Sequence, residues 1–408
     1  MSRIKHFSRL LSLALVSVFL LSACSKKLPE VTTPSRVPTQ ATLASESTVA
    51  TESTEATEAT EATTEETEPK HGPFSTPVVT ERPVDINGQL RVENNTLVNE
   101  AGEKYQLRGM SLSGINITGT FFNPDTCQTL SQDWGCNVVR IAMYTLGSGG
   151  GKAYIADPEK FFTLMCEDID ICVEQGIYCI VDWHILFDGD PLQYKDEAVD
   201  FFSRISAIYC DCPNVIYEIC NEPNGESLAD PDQQVGWENC IKPYADEVIA
   251  AIRANDPDNI ILVGTPNWSQ YPGDVLSDPI DDPNVMYTIH FYAASHGQEF
   301  RDRYQEAADA GVPLFASEWG TSADSGGGIV DFEASDVWLD FLDSNNISWC
   351  NWSIGSSVSE SSNALKMMSD ILDITEKHAG HWPDEFISRS GLYVRSKLLG
   401  IPYVPEEN

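Results

Sequence analysis

Residues Ile216–Pro223 read IYEICNEP, and the fold predicted for the chain is built around them. It begins as a short run of apolar and β-forming residues, and its second acid, Glu222, stands directly before a proline. Apolar runs of this length, bounded by turn residues, are typical of buried parallel strands. A second run, Leu314–Gly320 (LFASEWG), places Glu318 at a corresponding point. An acid at the end of a buried strand is poorly placed for packing, so both glutamates are candidates for chemistry.

Strand-like and helix-like patterns alternate along the rest of the chain. The candidate strands are Gln106–Leu112, Val138–Tyr144, Tyr178–His184, Val215–Glu222, Ile260–Thr265, Val285–Tyr292, Pro313–Gly320 and Ser348–Ile354. The amphipathic stretches between them are Pro158–Glu174, Ala198–Tyr209, Gly236–Asn255, Glu299–Ala310 and Ser335–Asn345. Alternation of this kind predicts an α/β fold with a parallel sheet, and eight units predict closure into a (β/α)8 TIM barrel. Gly88–Asn99 predicts a hairpin that caps the barrel floor, and Ser390–Leu399 predicts a closing helix.

Length and charge narrow the class of protein. A single barrel takes roughly 250 residues or more, so 408 residues favour one barrel with a tail. The formal net charge is -37. Nucleic acid is therefore not an expected partner, because binding phosphate needs a basic face. Acidity of this kind mainly gives solubility, and it suits a neutral polymer substrate. We expect a monomer.

The first 23 residues predict an export signal, since basic residues precede an apolar run from Leu10 to Leu21 that is too short to span a membrane. The run ends in Leu-Ser-Ala-Cys, which resembles the lipobox of bacterial lipoproteins. That resemblance implies cleavage before Cys24 and lipidation of its thiol; the alternative is a chance cysteine after small residues. The protein is then expected on the outer face of the bacterial membrane, held only by its lipid anchor, or else secreted.

Residues 24–76 predict a disordered Thr/Glu-rich spacer. The near-repeat TESTEATEATEATTEETE at 51–68 has almost nothing to bury, and its like charges extend the chain. A helix is less favoured there because β-branched threonine recurs throughout. The domain organisation is therefore a lipoprotein signal peptide at 1–23, a spacer at 24–76 and a catalytic barrel at 77–408.

The sequence has 11 cysteines, of which Cys24 belongs to the leader. Several others stand inside apolar runs, as Cys179, Cys220 and Cys350 do. Such positions suit small buried side chains, and the spacings do not form the paired CxxC pattern of a zinc site. We therefore predict free structural thiols, no metal site and no cofactor.

Polar or aromatic residues recur at the ends of the candidate strands. They are Arg140, His184, Asn221, Glu222, His290, Tyr292, Glu318 and Trp352. A single residue of this kind is usually a core residue whose polar groups are hydrogen-bonded within the protein. Because every strand of a barrel points the same way, all of these residues lie on one face of the barrel. Core packing alone does not explain why so many polar and aromatic residues occur on that face. Two carboxylates on that face are typical of a glycosidase.

Seven runs together resemble a known family. They are WGCNVVRIAMYT, YCIVDWHI, VIYEICNEPNG, NIILVGTPNWSQ, DPNVMYTIHFYAASHGQ, ASEWGTSADSGGG and SWCNWSI. In order and register across residues 90–400, they resemble the family-five glycoside hydrolases, in particular the bacterial endoglucanase (cellulase) branch. The resemblance implies a (β/α)8 barrel that cleaves internal β-1,4-glycosidic bonds of a β-glucan polysaccharide with retention of anomeric configuration.

The resemblance also implies roles for the two glutamates. Glu222 matches the acid/base and Glu318 matches the nucleophile. Glu222 must then hold a proton near neutral pH, while Arg140 and the Tyr292 hydroxyl keep Glu318 ionised. A retaining enzyme of this kind has its two carboxyl groups about 5–5.5 Å apart.

The remaining matches are to residues that contact substrate. Asn221 matches a group that bonds the sugar 2-hydroxyl, and His184 and His290 match residues that contact that sugar or orient the acid/base. Trp352 matches an aromatic floor beneath the sugar, and Trp268 matches an aromatic residue on the leaving-group side. Glu360 matches an acid on the non-reducing side.

Two positions depart from the family pattern. Ser113 stands where the family has a histidine, with no tryptophan following, and Val358 stands where a lysine is common. Both belong to contacts on the non-reducing side, so a mixed-linkage glucan or another β-glycan stays open as the preferred polymer. The alternatives are a β-mannanase or other hemicellulase on the same scaffold, and a non-catalytic carbohydrate-binding lipoprotein.

Overall fold

The computed structural model describes residues 81–118, 122–147, 152–225, 234–366 and 380–405. The expectations for the signal peptide at 1–23, for lipidation of Cys24 and for the spacer at 24–76 lie outside these residues and stay predictions. No helix in the described ranges combines the length and apolar character that crossing a bilayer requires.

Eight parallel strands close into a barrel. Their order around it is the order along the chain, and the last strand pairs with the first. The barrel strands are β3 Arg108–Leu112, β4 Val138–Tyr144, β5 Tyr178–His184, β6 Val215–Glu218, β7 Ile261–Val263, β8 Val285–Tyr292, β9 Leu314–Gly320 and β10 Ser348–Ile354. The predicted (β/α)8 TIM barrel is confirmed.

Helices flank the barrel strands, most of them between one strand and the next. They are α1 Pro83–Asn87, α2 Ile115–Thr118, α3 Pro124–Gln128, α4 Pro158–Gln175, α5 Lys195–Tyr209, α6 Lys242–Arg253, α7 Pro266–Ser269, α8 Gln298–Asp309, α9 Phe332–Ser344 and α10 Arg389–Leu398. Short 3-10 helices span Tyr154–Ala156, Pro191–Tyr194, Pro272–Ser277 and Asp384–Phe386, and π-helical turns span Thr129–Asp133 and Trp237–Ile241. The long helix α4 begins at a proline, which needs no partner for its nitrogen there, and ends at Gly176 with φ 68°.

One end of the barrel is closed by the predicted hairpin. Strands β1 (Arg91–Glu93) and β2 (Thr96–Val98) pair antiparallel. Leu90 and Leu97 pack in one apolar cluster with barrel residues such as Ile180 and Phe315. A further small sheet joins β11 (Ser356–Ser357) to β12 (Leu365–Lys366). The hairpin covers the N-terminal end of the barrel strands, and the polar residues of the site lie at the opposite, C-terminal end.

Strand β5 illustrates how the alternation of side chains builds the site. Trp183 faces outward, where its ring lies 5.3 Å from that of Phe201 on α5. Its neighbours Asp182 and His184 face inward and are buried within hydrogen-bond distance of each other. Successive residues of a strand point to opposite faces, so one apolar run supplies both the helix contact and the site.

Strand β6 is shorter than the sequence predicts, ending at Glu218 rather than at Glu222. Beyond it the backbone still follows β5, since the Glu222 N–H bonds to the Ile185 carbonyl at 3.3 Å. The chain also passes very close to Gly264, where an added Cβ would lie 2.1 Å from the Cys220 carbonyl oxygen. Regular pairing with β7 therefore stops here, and the Asn-Glu-Pro segment is free to aim its side chains into the barrel mouth.

Candidate active site

A buried guanidinium organises the barrel mouth. Arg140 of β4 donates to both carboxylate oxygens of Glu218, at 2.7 and 3.1 Å. It also donates to Glu318 at 3.2 Å and lies 3.0 Å from Asp182. Burial lowers the pKa of Arg140, but these three carboxylates outweigh it and raise the pKa well above its ordinary value. The guanidinium therefore stays charged and fixes the carboxylates around it.

Glu318 of β9 has two donors. Arg140 Nη1 lies 3.2 Å from one oxygen, and the Tyr292 hydroxyl donates to the other at 2.7 Å. Burial raises the pKa of Glu318, and the charge of nearby Glu222 raises it further, while His290 and Arg140 oppose the change. Burial also raises the pKa of Tyr292 well above its ordinary value, so its hydroxyl remains a donor. Of the two glutamates, Glu318 is the one with donors that stabilise a negative charge.

Glu222 lies in a different environment. Its Oε1 is 2.8 Å from Nδ1 of His290, and its side chain is 12% exposed. Burial raises the pKa of Glu222 to about 8, with Arg140 opposing the rise and the carboxylates of Asp182 and Glu218 adding to it. A carboxyl group with this pKa keeps its proton at neutral pH, which is the state that a general acid requires.

The two glutamates lie across a gap that suits displacement. One oxygen from each, together with a ring nitrogen of His290, lie within 4.8 Å of one another. Retaining glycosidases have carboxyl groups about 5–5.5 Å apart. These three residues also have the spacing of possible metal ligands. His290 Nδ1 is within hydrogen-bond distance of Glu222, and both Glu318 oxygens accept hydrogen bonds from Arg140 and Tyr292.

Around His184 the site is aromatic. Nδ1 of His184 lies 2.6 Å from Asp182. The imidazole stacks on Trp352 with ring centres 5.2 Å apart and meets the edge of Tyr144 at 4.4 Å. Burial lowers the pKa of His184 to about 3 and raises that of Asp182 to about 7. The ring is therefore neutral and serves as part of an apolar wall beside the glutamates.

A cleft of about 480 Å³ opens beside Glu222. It is lined by Glu222, Asn267, Trp268, Gln270, His290, Tyr292, His296, Asp324 and Ser325. Asn267 and Trp268 of α7 both adopt left-handed backbone angles, with φ 57° and 58°. Non-glycine residues adopt this conformation at a cost, and it is frequent at functional sites. The turn places Trp268 in the same cleft as Glu222, and its role on the leaving-group side stays a prediction.

Asn221 is fully buried between two elements. Its Oδ1 accepts from Arg140 at 2.5 Å, and its Nδ2 donates to the Ile185 carbonyl at 3.0 Å. An amide nitrogen carries two hydrogens. One of them bonds to the Ile185 carbonyl, and the contact with a sugar hydroxyl stays a prediction.

Glu360 and the two departures from the family pattern lie apart from the glutamates. Glu360 forms an ion pair with Arg389 at the start of α10. Ser113 donates to the Ile354 carbonyl at 3.3 Å, and Val358 is 85% exposed. In the described part of the chain no contact joins any of them to Glu222 or Glu318, and the sugar-binding role of Glu360 stays a prediction.

Sequence reasoning missed four residues of the site. Asp182, Glu218 and Ser317 are buried and hydrogen-bonded to residues that it did find, and Tyr144 packs on His184. A signal was present for two of them, because Asp182 precedes His184 by two residues and Tyr144 follows Arg140 by four, so that each shares a strand face with a predicted residue. The others required knowing which strands lie across the barrel from each other.

Comparisons with known proteins agree with this geometry. The family model described as Cellulase (glycosyl hydrolase family 5) matches residues 98–358. Endoglucanase A of Evansella cellulosilytica is 47% identical over 304 residues, which are 74% of this chain and 58% of that protein. Endoglucanase N of Pectobacterium atrosepticum is 43% identical over 316 residues, which are 78% of this chain and 66% of that protein. The chain thus spans less than two thirds of the length of these curated relatives.

Solved structures show the same similarity. The catalytic domain of Thermobifida fusca endoglucanase Cel5A has a TM-score of 0.70 and 34% identity, with 78% of this chain and 99% of that chain covered. The alkaline cellulase K catalytic domain has a TM-score of 0.72 and 36% identity, with 79% and 97% covered.

Proposed function

Since the chain belongs to the cellulase family, glycosyl hydrolase family 5, we propose that it is an endo-acting, retaining hydrolase of β-1,4-glucosidic bonds in cellulose or a related β-glucan. The observation that carries the proposal is the pair of unlike carboxyl groups. Glu318 has two donors and Glu222 has a pKa of about 8. Surroundings that keep one carboxyl group ionised and the other protonated are those required by a nucleophile and a general acid, respectively.

In the first step, Glu318 attacks the anomeric carbon and forms a covalent glycosyl-enzyme. As the bond to the leaving sugar breaks, Glu222 gives its proton to the glycosidic oxygen. Charge leaves Glu318 as its bond to carbon forms, and the Tyr292 hydroxyl and Arg140 hold the attacking oxygens in place. The transition state has oxocarbenium character, so the anionic surroundings stabilise it.

In the second step, Glu222 acts as a base. Now ionised, it takes a proton from water, and that water displaces Glu318 from the anomeric carbon with a second inversion. The same raised pKa that kept the proton on Glu222 favours its recovery. The two inversions return the sugar to its original configuration.

The binding of an internal segment of polymer is supported by two groups of aromatic residues. Trp268 lines the cleft with Glu222. Trp352, His184 and Tyr144 form a row of rings that continues to Phe187, which stacks 6.1 Å from Tyr144 and is 43% exposed. Sugar-binding sites use such rings as apolar platforms. A structure of Thermobifida fusca endoglucanase Cel5A, 34% identical, is in complex with cellotetraose, which favours a β-glucan here too.

We also infer export of the protein and anchoring through a lipid on Cys24, with the spacer at 24–76 holding a monomeric barrel away from the membrane. The support is the Leu-Ser-Ala-Cys sequence and the composition of the spacer. Detergent partitioning of wild type and Cys24→Ala tests the anchor. Equal partitioning of the two into the aqueous phase would rule it out.

The function is tested by the products formed from carboxymethyl-cellulose, lichenan and mannan. We expect a fast fall in viscosity with few new reducing ends on the glucans, and NMR should show the β-anomer as the first product. Glu318→Gln should remove turnover while keeping the thermal transition and the affinity for cello-oligosaccharides. An α-anomer as first product would contradict the mechanism. Hydrolysis of mannan alone would point to the mannanase, and sugar binding without hydrolysis to the non-catalytic alternative.

A further inference from the structure

A chain of hydrogen bonds runs from the proposed acid into the barrel, and it passes through Ser317. Glu222 Oε1 lies 2.8 Å from His290 Nδ1. His290 Nε2 lies 2.9 Å from the Ser317 hydroxyl, which lies 2.7 Å from Glu218 Oε1. All three inner residues are buried. Buried polar groups are normally hydrogen-bonded, so the printed contacts show where the hydrogens of this chain lie.

The inner end of the chain fixes the direction of its hydrogens. Glu218 receives two hydrogen bonds from Arg140, at 2.7 and 3.1 Å. Both Glu218 oxygens accept from Arg140, and Oε1 also accepts from Ser317, so Glu218 acts here as an acceptor. A serine hydroxyl has a single hydrogen. Ser317 therefore donates that hydrogen to Glu218, and the hydroxyl oxygen can only accept a hydrogen bond from His290.

The direction then passes to the imidazole. For Ser317 to accept from His290, Nε2 must carry a hydrogen. Burial lowers the pKa of His290 to about 4, so the ring is neutral and has only one N–H. That N–H is at Nε2, and Nδ1 presents a lone pair to Glu222.

We propose that Ser317 is a positioning residue for the proton of Glu222: it holds His290 as the Nε2–H tautomer, so that Nδ1 can only accept. At 2.8 Å the nitrogen and the Glu222 oxygen need a hydrogen between them. Since Nδ1 does not carry it, Glu222 does. This inference rests on the proposed function, because it explains how the acid is kept protonated at rest.

The same arrangement acts in the second half of the reaction. Once Glu222 has lost its proton, its oxygen faces a lone pair on His290 and gains no hydrogen bond from it. A carboxylate without a donor is a stronger base, which favours taking a proton from water. Ser317 thus favours the protonated form of Glu222 in both steps, although it does not touch the reacting atoms.

Other charged groups around the pair do not reverse this direction. The titratable groups that face Glu222 and His290 are Arg140, Tyr144, Asp182, His184, Glu218, Tyr292, His296, Tyr304, Glu318 and Asp324. The one cation among them that is always charged, Arg140, is held by the carboxylates and Asn221. The Tyr304 hydroxyl donates to the backbone carbonyl of His290 at 2.7 Å and leaves the ring nitrogens to Glu222 and Ser317.

The tautomer can be observed directly in the full-length wild-type protein. Selective 15N labelling of histidine gives separate nitrogen signals for protonated and unprotonated ring positions, and a His290→Gln variant assigns the residue. We expect Nε2 protonated and Nδ1 unprotonated near pH 6. A protonated Nδ1 in the wild type would overturn the proposal whatever the enzyme's substrate.

The kinetic test is Ser317→Ala, with Ser335→Ala as the matched control. Ser335 is another fully buried serine, whose hydroxyl donates to the Asp331 carbonyl at 2.6 Å on α9. In Ser317→Ala, His290 is free to place its hydrogen on Nδ1 and donate to ionised Glu222. The basic limb of kcat/KM should then move to lower pH by about half to one unit. Ser335→Ala should leave the limb in place.

Leaving-group dependence separates positioning from a general structural defect. Ser317→Ala should lose more activity on a natural glucan than on an aryl glycoside with a good leaving group, since the latter needs little acid help. Equal losses on both substrates, or an unmoved basic limb, would refute the role of Ser317. If the wild type hydrolyses no β-glucan, the proposed function fails, while the nitrogen signals still decide the tautomer.

Discussion

Removing the Tyr292 hydroxyl tests how Glu318, the proposed nucleophile, is kept ionised. In wild type this hydroxyl donates to Glu318 at 2.7 Å, and the other oxygen of Glu318 is held by Arg140 at 3.2 Å. Tyr292→Phe removes the shorter of the two bonds and leaves the ring. A hydrogen bond to a charged group contributes about 1.5–3 kcal/mol. One pKa unit corresponds to about 1.36 kcal/mol, so the pKa of Glu318 should rise by about one to two units.

The direction of the effect on rate follows from the role of Glu318. Only the ionised carboxylate attacks, and the acidic limb of kcat/KM marks its loss as the pH falls. A higher pKa moves this limb to higher pH by the same one to two units, or roughly a 10- to 100-fold loss of activity below it. An aryl cellobioside is the best substrate for the assay, because its leaving group needs little help from Glu222.

A matched variant controls for the loss of a tyrosine hydroxyl. Tyr393 of α10 also donates to a carboxylate, Asp336, at 2.6 Å, away from the barrel mouth. Tyr393→Phe should leave the pH profile unchanged. If Tyr292→Phe keeps the wild-type acidic limb, or shifts it to lower pH, then this hydroxyl does not stabilise the charge on Glu318 and the reasoning fails.

Three further changes have expected outcomes. Glu222→Gln should reduce kcat on natural glucans by far more than on an activated aryl glycoside, and equal losses would contradict its role as acid. Asp168 of α4 is buried, and its Oδ2 has no partner among the described residues. Burial raises the pKa of this carboxyl group. Since the folded protein binds the proton more tightly than the unfolded chain does, the stability of the protein falls as the pH rises through that pKa. Asp168→Asn should therefore raise the unfolding free energy at pH 7 by about 1–3 kcal/mol, with no gain at acidic pH in urea titrations. Phe187→Ala should raise KM for long cello-oligosaccharides several-fold and leave it unchanged for cellobiosides, whereas equal KM values for long substrates would remove Phe187 from the binding surface.

The fold was predictable because the barrel strands are continuous apolar runs. Strands buried on both faces have continuous apolar sequences that can be recognised without knowing which elements will cover them. The limits of the strands were less predictable. Val215–Glu222 ends early in the structure because of the close approach at Gly264, and this contact joins segments whose proximity exists only after the barrel closes.

The sequence predicted the residues of the site at the barrel mouth but not those buried deeper in the barrel. Glu222, Glu318 and His290 stand at strand ends, where position alone suggests chemistry. Glu218 and Ser317 lie deeper, and in the sequence they look like ordinary members of buried runs. Their contribution depends on facing each other across the barrel at 2.7 Å, a relation between strands that no local pattern contains.

Closure of the barrel also fixes the number of protons in the site. Among the described residues, Arg140 is the one permanent cation within hydrogen-bond distance of Asp182, Glu218 and Glu318, and Glu222 lies close by. A single positive charge cannot compensate four buried carboxylates, so some of them must remain protonated. Burial raises the pKa of Asp182 to about 7 and that of Glu222 to about 8. Proton transfer near neutral pH thus follows from an excess of buried acids, and the acid nearest the cleft is the one placed to use it.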